Sequence, residues 1–358
     1  MKRKKIWIGL SLCMMLVAAG CGNNNAAVDS GNAANSGNAA VNSGDAAAGN
    51  AETKAYKIAI SQYVEHPALD ATRDGILAAL KDAGLVEGEN LTVDLENAQA
   101  DQANNLSIAQ KIAADDNDLV LAIATPSAQA VVQSIKDDTP VIFAAVTDPI
   151  DAKIVTDLEH PGGNVTGASD TNPEAIIRLM DFIAAQFPNV KKLGLVINEG
   201  EPNAVIMADQ AKAALDKHGI ELVKAAVTNT SEVKQAAESL VGRVDALYLT
   251  LDNTVVSGVD TIIQVANDNK LPFFASDRDT VEKGAFATVG FKYFDHGYQV
   301  GQMAVEVLKN GKKPGDLKVT MQEKLDLILS LKAAEEQGIE VTDAMKGEVA
   351  DQANNIIQ

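Results

Sequence analysis

From Lys57 onward, short apolar runs rich in β-branched residues alternate with segments whose large side chains recur every three to four positions. "KIAIS" (57–61) predicts a strand, and Leu69, Arg73, Ile76, Leu77, Leu80 and Gly84 trace one helical stripe after it. "LTVDLE" (91–96), a helix over 102–114, "LVLAIA" (119–124), a helix after Pro126 and "VIFAAV" (141–146) continue the series. These strands read as apolar on both faces, as a parallel sheet covered by helices on both sides requires. "PGGNVTGAS" (161–169) interrupts with turn residues, and the alternation then restarts. A helix over 173–187 leads to "KLGLVIN" (192–198), a helix over 202–217, "ELVKAAV" (221–227) and a helix over 231–241, in which Val233, Ala236, Ala237, Leu240 and Val241 share a face. "ALYLTL" (246–251), a helix over 254–269, "PFFAS" (272–276) and "FATVGF" (286–291) complete a second unit of the same plan. The pattern is α/β, with two doubly wound halves.

In such sheets ligands meet the carboxyl ends of the strands. The segments that follow the predicted strands are all polar: "QYVEH" (62–66), "TPS" (125–127), "TDP" (147–149), "NEGEPN" (198–203), "DNT" (252–254) and "SDRD" (276–279). Two such halves facing each other form a cleft. At "IATPSAQAVVQSI" (123–135) a strand passes into a helix with Pro126 in its first turn, where the missing N–H costs nothing. Thr125 and Ser127 either cap that helix or, with its free N–H groups, seat an anion.

The N-terminal segment changes the picture of where this body works. Lys2, Arg3, Lys4 and Lys5 precede an apolar run and then small residues before Cys21, the layout of a secretory signal, too short and wrongly flanked for a membrane span. Residues 1–20 are read as this signal. Ala18-Ala19-Gly20-Cys21 is similar to the lipobox of bacterial lipoproteins, which makes Cys21 the expected lipidation site and mature N-terminus; ordinary cleavage leaving a free thiol is the alternative. Cys13 falls within the leader, so no thiol remains for disulfides, nucleophilic catalysis or metal ligation in the body. Residues 21–55, rich in Ala, Asn, Ser and Gly, lack the apolar side chains to offset ordering entropy and read as a flexible tether. The formal charge of −19 falls to about −23 once the four basic leader residues are removed, which argues against nucleic acid as a partner.

"ISQYVEHPALDATRDGI", "ATPSAQAV", "VTDPIDAKIV", "PGGNVTGASD", "GEPNAV", "LTLDNTVVS" and "ATVGFKYFDHGYQVGQMA" resemble the substrate-binding lipoproteins of ABC transporters in the tryptophan-binding-protein-like group, from about Tyr56 to Gln337. The resemblance implies the type I periplasmic-binding-protein fold: two Rossmann-like lobes with parallel sheets joined by a three-crossover hinge. It implies an N-terminal lobe of 56–168 plus 291–316 and a C-terminal lobe of 169–290 plus 317–358, with crossovers near Gly167, Phe291 and Asp316. It further implies an aromatic amino acid as ligand, hinge closure, and a membrane permease powered by a cytoplasmic ATPase as partner. No cofactor or metal is expected, and the body is expected to be a monomer held outside the cell membrane by its lipid.

A zwitterion needs donors for its carboxylate and acceptors for its ammonium. Thr125 and Ser127, with Thr147, are the expected carboxylate seat. Asp252 and Asp277 are the expected ammonium acceptors, with Asn253 adding an amide oxygen, although Asp252-Asn253-Thr254 could simply cap a helix and "SDRD" could be a solvated loop. Asp148 either bonds the ligand or shapes a turn. Gln62, Tyr63, Glu65 and His66 follow the first strand, where the family's motifs meet the ligand; Tyr63 or Phe291 either stacks on an aromatic side chain or belongs to the core. Glu199 and Asn203 either cap a helix or line the cleft.

Three rivals remain open. A cleft enzyme lacks support in the sequence: the four histidines have no metal spacing, and there is no GxSxG elbow, GxGxxG turn or Walker loop, leaving only an unrecognised carboxylate pair such as Asp252 with Asp277. A ligand-sensing or adhesive lipoprotein shares the anchor and cleft. A sugar or nucleoside is the third; Trp7, the sole tryptophan, lies in the leader, which disfavours a sugar.

Overall fold

The computed structural model describes residues 54–358, so the leader, Cys21 and the tether up to residue 53 lie outside the described residues. The chain first builds β1 (Tyr56–Gln62), α1 (Pro67–Asp82), β2 (Leu91–Asn97), α2 (Gln102–Ala114), β3 (Leu119–Ile123), α3 (Thr125–Ser134), β4 (Val141–Val146) and β5 (Val165–Ser169). It then builds α4 (Pro173–Gln186), β6 (Lys192–Ile197), α5 (Pro202–Asp216), β7 (Glu221–Ala226), α6 (Val233–Leu240), β8 (Ala246–Leu249), α7 (Asn253–Val256), α8 (Val259–Asn269), β9 (Phe273–Ala275), α9 (Arg278–Lys283) and β10 (Ala287–Gly290). Finally α10 (Tyr293–Leu308) and β11 (Thr320–Met321) return to the first half, and β12 (Asp326–Ser330), α11 (Leu331–Gln337), α12 (Asp343–Gly347), α13 (Gln352–Asn355) and β13 (Ile356–Ile357) end in the second.

The strand orders are β11-β5-β4-β3-β1-β2 and β13-β12-β10-β9-β8-β6-β7, and the ladders are parallel except for β10 with β12. This is the two-lobed α/β fold the sequence predicts. The central strands β3 and β4 are buried on both faces, which explains their unbroken apolar runs. The edge strands β2 and β7 are mostly half-buried or exposed, with Leu91 the one fully covered position.

Three details differ from the sequence reading. Residues 165–169, read as part of a turn segment, are a fully buried strand. Gly167 disguised it: a Cβ there would lie 2.2 Å from the Phe143 carbonyl oxygen and 2.5 Å from its ring, so close approach to β4 demands glycine inside the strand. The predicted 254–269 helix breaks at Ser257–Gly258 into α7 and α8. The third crossover comes later than Asp316, because Thr320–Met321 pairs in parallel with Ala168–Ser169; the chain leaves the first sheet only over residues 322–325.

Helices α1 and α10 pack backbone to backbone. A Cβ on Gly297 would fall 1.9 Å from the carbonyl oxygen of Thr72. This contact ties α10, which starts at the second crossover, to α1, whose N-terminal end faces the other lobe.

Candidate functional site

The second lobe's wall of the cleft is organised by Glu201, at the N-cap of α5 and fully buried. Its side chain does not cap its own helix; it reaches the first turn of α7. Oε1 accepts from the Thr254 N–H (2.9 Å) and hydroxyl (2.7 Å), and Oε2 from the Asn253 N–H (3.0 Å), Asn253 Nδ2 (2.7 Å) and Asn203 Nδ2 (3.1 Å). Asn203 Nδ2 also donates to the Leu251 carbonyl at 2.7 Å. With both amide nitrogens so engaged, the amide oxygens turn outward: Asn253 Oδ1 lies 3.4 Å from His66 Nε2 across the cleft, and buried Asn203 Oδ1 has no partner among the described residues.

Between the lobes lies a narrow cavity, lined on the first-lobe side by His66, Ala145 and Thr147 and on the second by Asn203, Asn253 and Asp277, with Asp170 and Tyr293 at the crossovers. Tyr293 donates to Asp170 Oδ2 at 3.0 Å. Asp170 and Leu251 also line an adjoining narrow cavity whose walls include Leu179, Met207, Val289 and Phe291. A polar recess thus opens beside an apolar one, the mixed lining usual for small-molecule sites. A wider depression at the amino ends of the first lobe's strands, beside Gly162 and Lys312, lacks such convergent buried polar groups.

Burial sets the electrostatics. It pushes the Asp170 carboxyl up to about 6, against the pull of hydrogen bonds from Tyr293, Thr171 and Thr147. It pushes His66 down to about 4, so the imidazole is neutral at pH 7. Asp252 stands well above the usual carboxylate range because of burial and the neighbouring Glu201, and Asp277 is raised by burial.

The residues singled out from sequence separate into two groups. Thr147, Asn203, Asn253 and Asp277 come together around the polar cavity. Asp277 also caps α9, accepting from the Thr280 N–H and hydroxyl, both at 2.7 Å. Asp252 serves as a helix cap, accepting from the N–H groups of Val255 (3.0 Å) and Asn198 (2.5 Å), and does not line the cavity. Nor do Thr125 and Ser127: the Thr125 hydroxyl accepts the Thr147 N–H, and Ser127 donates to Asn105 Oδ1 and accepts from Ser61 within the first lobe. Asp148 shapes a turn through the N–H groups of Ile150 and Asp151. Gln62 bonds Asp70 and the Val64 carbonyl, and Glu65 is exposed. Tyr63 lies in a more open groove at the cleft's rim beside Gln102 and Asn198, its hydroxyl donating to the Ala100 carbonyl. Phe291 lines the apolar cavity, tilted against Tyr293 at 5.1 Å.

Asp170 and Glu201 escaped the sequence reading. Asp170 follows the strand that Gly167 concealed. Glu201 stood between the two residues weighed in "NEGEPN"; a glutamate at an N-cap position directly before Pro202 is an uncommon cap, and that oddity was the available signal.

The fold defines a two-lobed solute-binding protein with a cavity between its lobes. The chain belongs to the ABC transporter substrate binding protein family, whose model matches residues 57–353. It is 42% identical over 277 residues to the tyrosine-binding protein of Clostridioides difficile, covering 77% of this chain and 79% of that protein. Among solved structures, an ABC domain from Streptococcus pneumoniae in complex with L-Trp is 35% identical with a TM-score of 0.77, covering 83% of this chain and 99% of that one. A ligand-free, open substrate-binding protein with adhesive properties from Clostridium difficile is 38% identical with a TM-score of 0.61, covering 84% and 98%. The chain superposes better on the complex than on the open structure despite lower identity to it. With His66 and Asn253 in register across the cleft, its lobes are in a closed arrangement.

Proposed function

We propose that this protein captures an aromatic amino acid between its lobes and delivers it to a membrane permease driven by a cytoplasmic ATPase. The observation that carries the reading is the adjacency of the two cavities: a recess with His66, Thr147, Asp170, Asn203, Asn253 and Asp277 opens beside an apolar wall containing Leu179, Met207 and Phe291. The first can take the polar end of an amino acid and the second its ring. The ligands named for the Clostridioides difficile and Streptococcus pneumoniae relatives, tyrosine and L-Trp, support the choice. In this reading Asp170 and Asp277 pair with the ammonium, and the Thr147 hydroxyl donates to the carboxylate.

The cavities are narrow in the closed arrangement, so ligand enters while the lobes are apart. Contacts to both lobes form only on closure, and that difference in affinity shifts the population toward the closed state. Cys21, outside the described residues, is proposed as the lipid attachment that holds the body outside the membrane. Mass spectrometry of small molecules released on denaturing the purified protein tests the ligand class: tyrosine, tryptophan or phenylalanine is expected, and a sugar or nucleoside would replace this reading. Loss of uptake of that amino acid on deletion tests import; unaffected uptake would favour a sensing or adhesive role, for which the adhesive Clostridium difficile neighbour is a precedent.

A further inference from the structure

We infer that Glu201, which has no capacity left to touch a ligand, is the positioning residue that makes the polar recess selective for a protonated amine; this rests on the amino-acid reading above. Five donors occupy its two oxygens, filling the roughly four lone-pair directions of a carboxylate. Its effect passes through the groups it orients. Because Glu201 draws in the amide nitrogens of Asn203 and Asn253, both residues must present their oxygens toward the cleft. Asn203 cannot reverse, since its nitrogen is also held by the Leu251 carbonyl.

The orientation of Asn253 then decides a proton position on the opposite lobe. Its Oδ1 is an acceptor, so the facing His66 Nε2, 3.4 Å away, must carry the hydrogen. A neutral imidazole has one N–H, and His66 Nδ1 is therefore a bare acceptor, buried and without a partner among the described residues. Asn203 Oδ1 is the second buried acceptor without a partner lining the same cavity. With the carboxylates of Asp170 and Asp277, the recess gathers acceptors suited to the three N–H bonds of an ammonium group, and among the described residues no lysine or arginine lines it. One carboxylate on the second lobe thus sets the polarity of a site whose first-lobe member, His66, it never touches. The recess is complete only when the lobes are closed.

The test uses wild-type protein, Glu201→Gln and Asn203→Leu, each titrated with L-tyrosine and L-tryptophan and with 3-(4-hydroxyphenyl)propanoate, which lacks the amine, the latter by competition at millimolar concentration. Long-range proton–nitrogen NMR correlations report which His66 nitrogen is protonated. Wild type is expected to prefer the amine-bearing ligand by 100-fold or more and to carry the hydrogen on Nε2. Glu201→Gln places an amide N–H against a set of donors, so Asn253 turns over and the hydrogen moves to Nδ1. Amino-acid affinity should fall 10-fold or more while affinity for the des-amino compound changes less than 3-fold. Asn203→Leu should reproduce the selective loss without the tautomer change. Equal loss for both ligand types in Glu201→Gln, unchanged amino-acid affinity, or a wild-type hydrogen on Nδ1 would overturn the inference. If wild type binds no aromatic amino acid but the tautomer moves as described, the ligand assignment fails and the orienting role of Glu201 stands.

Discussion

Closure should be opposed by acid through His66. In the closed structure burial holds this imidazole at about 4, with smaller opposing influences from the Asn253 hydrogen bond and Asp70, and a reinforcing one from Lys283. When the lobes part, the ring loses Asn253 and meets water, so its value returns to about 6.5. The closed state therefore binds fewer protons than the open one between these values. Above pH 6.5 His66 is neutral in both states and contributes no pH dependence. As the pH falls below 6.5 the open form takes up a proton that closure must expel, and the penalty grows until about pH 4. At pH 5 it amounts to about 1.5 pKa units, or about 2 kcal/mol, a roughly 30-fold loss of ligand affinity relative to pH 7.5. Asp170, held at about 6, works in the opposite direction in the empty closed state, but a ligand ammonium beside it draws its carboxyl down and removes that contribution. Asp277, also raised by burial, faces the same cavity and is governed in the same way. Calorimetric titration of an aromatic amino acid from pH 7.5 to 5 should show this decline, and His66→Gln should flatten it. A wild-type affinity independent of pH over this range, or an equal decline in the variant, would refute the reasoning.

Other changes have equally definite outcomes. Asp170→Asn removes the proposed ionic partner of the amine and should weaken aromatic amino-acid binding about 10-fold or more, the scale of a hydrogen bond to a charged group; affinity within 2-fold of wild type in calorimetry would exclude Asp170 from the site. Gly297→Ala thrusts a methyl group to within 1.9 Å of the Thr72 carbonyl oxygen, a backbone atom that cannot rotate away, and should cost about 2 kcal/mol or more in denaturant unfolding. Asp252→Ala should lower stability by about 1–2 kcal/mol through the lost α7 cap, whereas Asp252→Asn, which keeps an acceptor, should be milder; the reverse order in urea unfolding would contradict the assignment of Asp252 as a cap.

The two-lobed fold was legible because fully apolar strands such as Leu119–Ile123 and Val141–Val146 can persist only between layers of helices. The place of the cavity between the lobes was equally legible, since polar loops at strand carboxyl ends have nowhere to converge but the cleft. What each hydroxyl or carboxylate does there depends on partners distant in sequence. Ser127 looked like an anion donor until Asn105, 22 residues earlier, took its hydrogen. Asp252 is turned to Asn198, 54 residues away, and so leaves the cavity wall to Asn253 beside it. Asp170 was lost with its strand, because a glycine required by contact with Phe143 looks in sequence like a turn. Glu201 is hardest to foresee: its role exists only through the amides it orients.

Titration calorimetry of the folded body with each of the twenty amino acids at pH 7.5 tests the central claim most directly. Tight binding of one or more aromatic amino acids, with non-aromatic ones at least 100-fold weaker, is the predicted result. Silence toward all three aromatic amino acids, or a preference for a non-aromatic one, would contradict it.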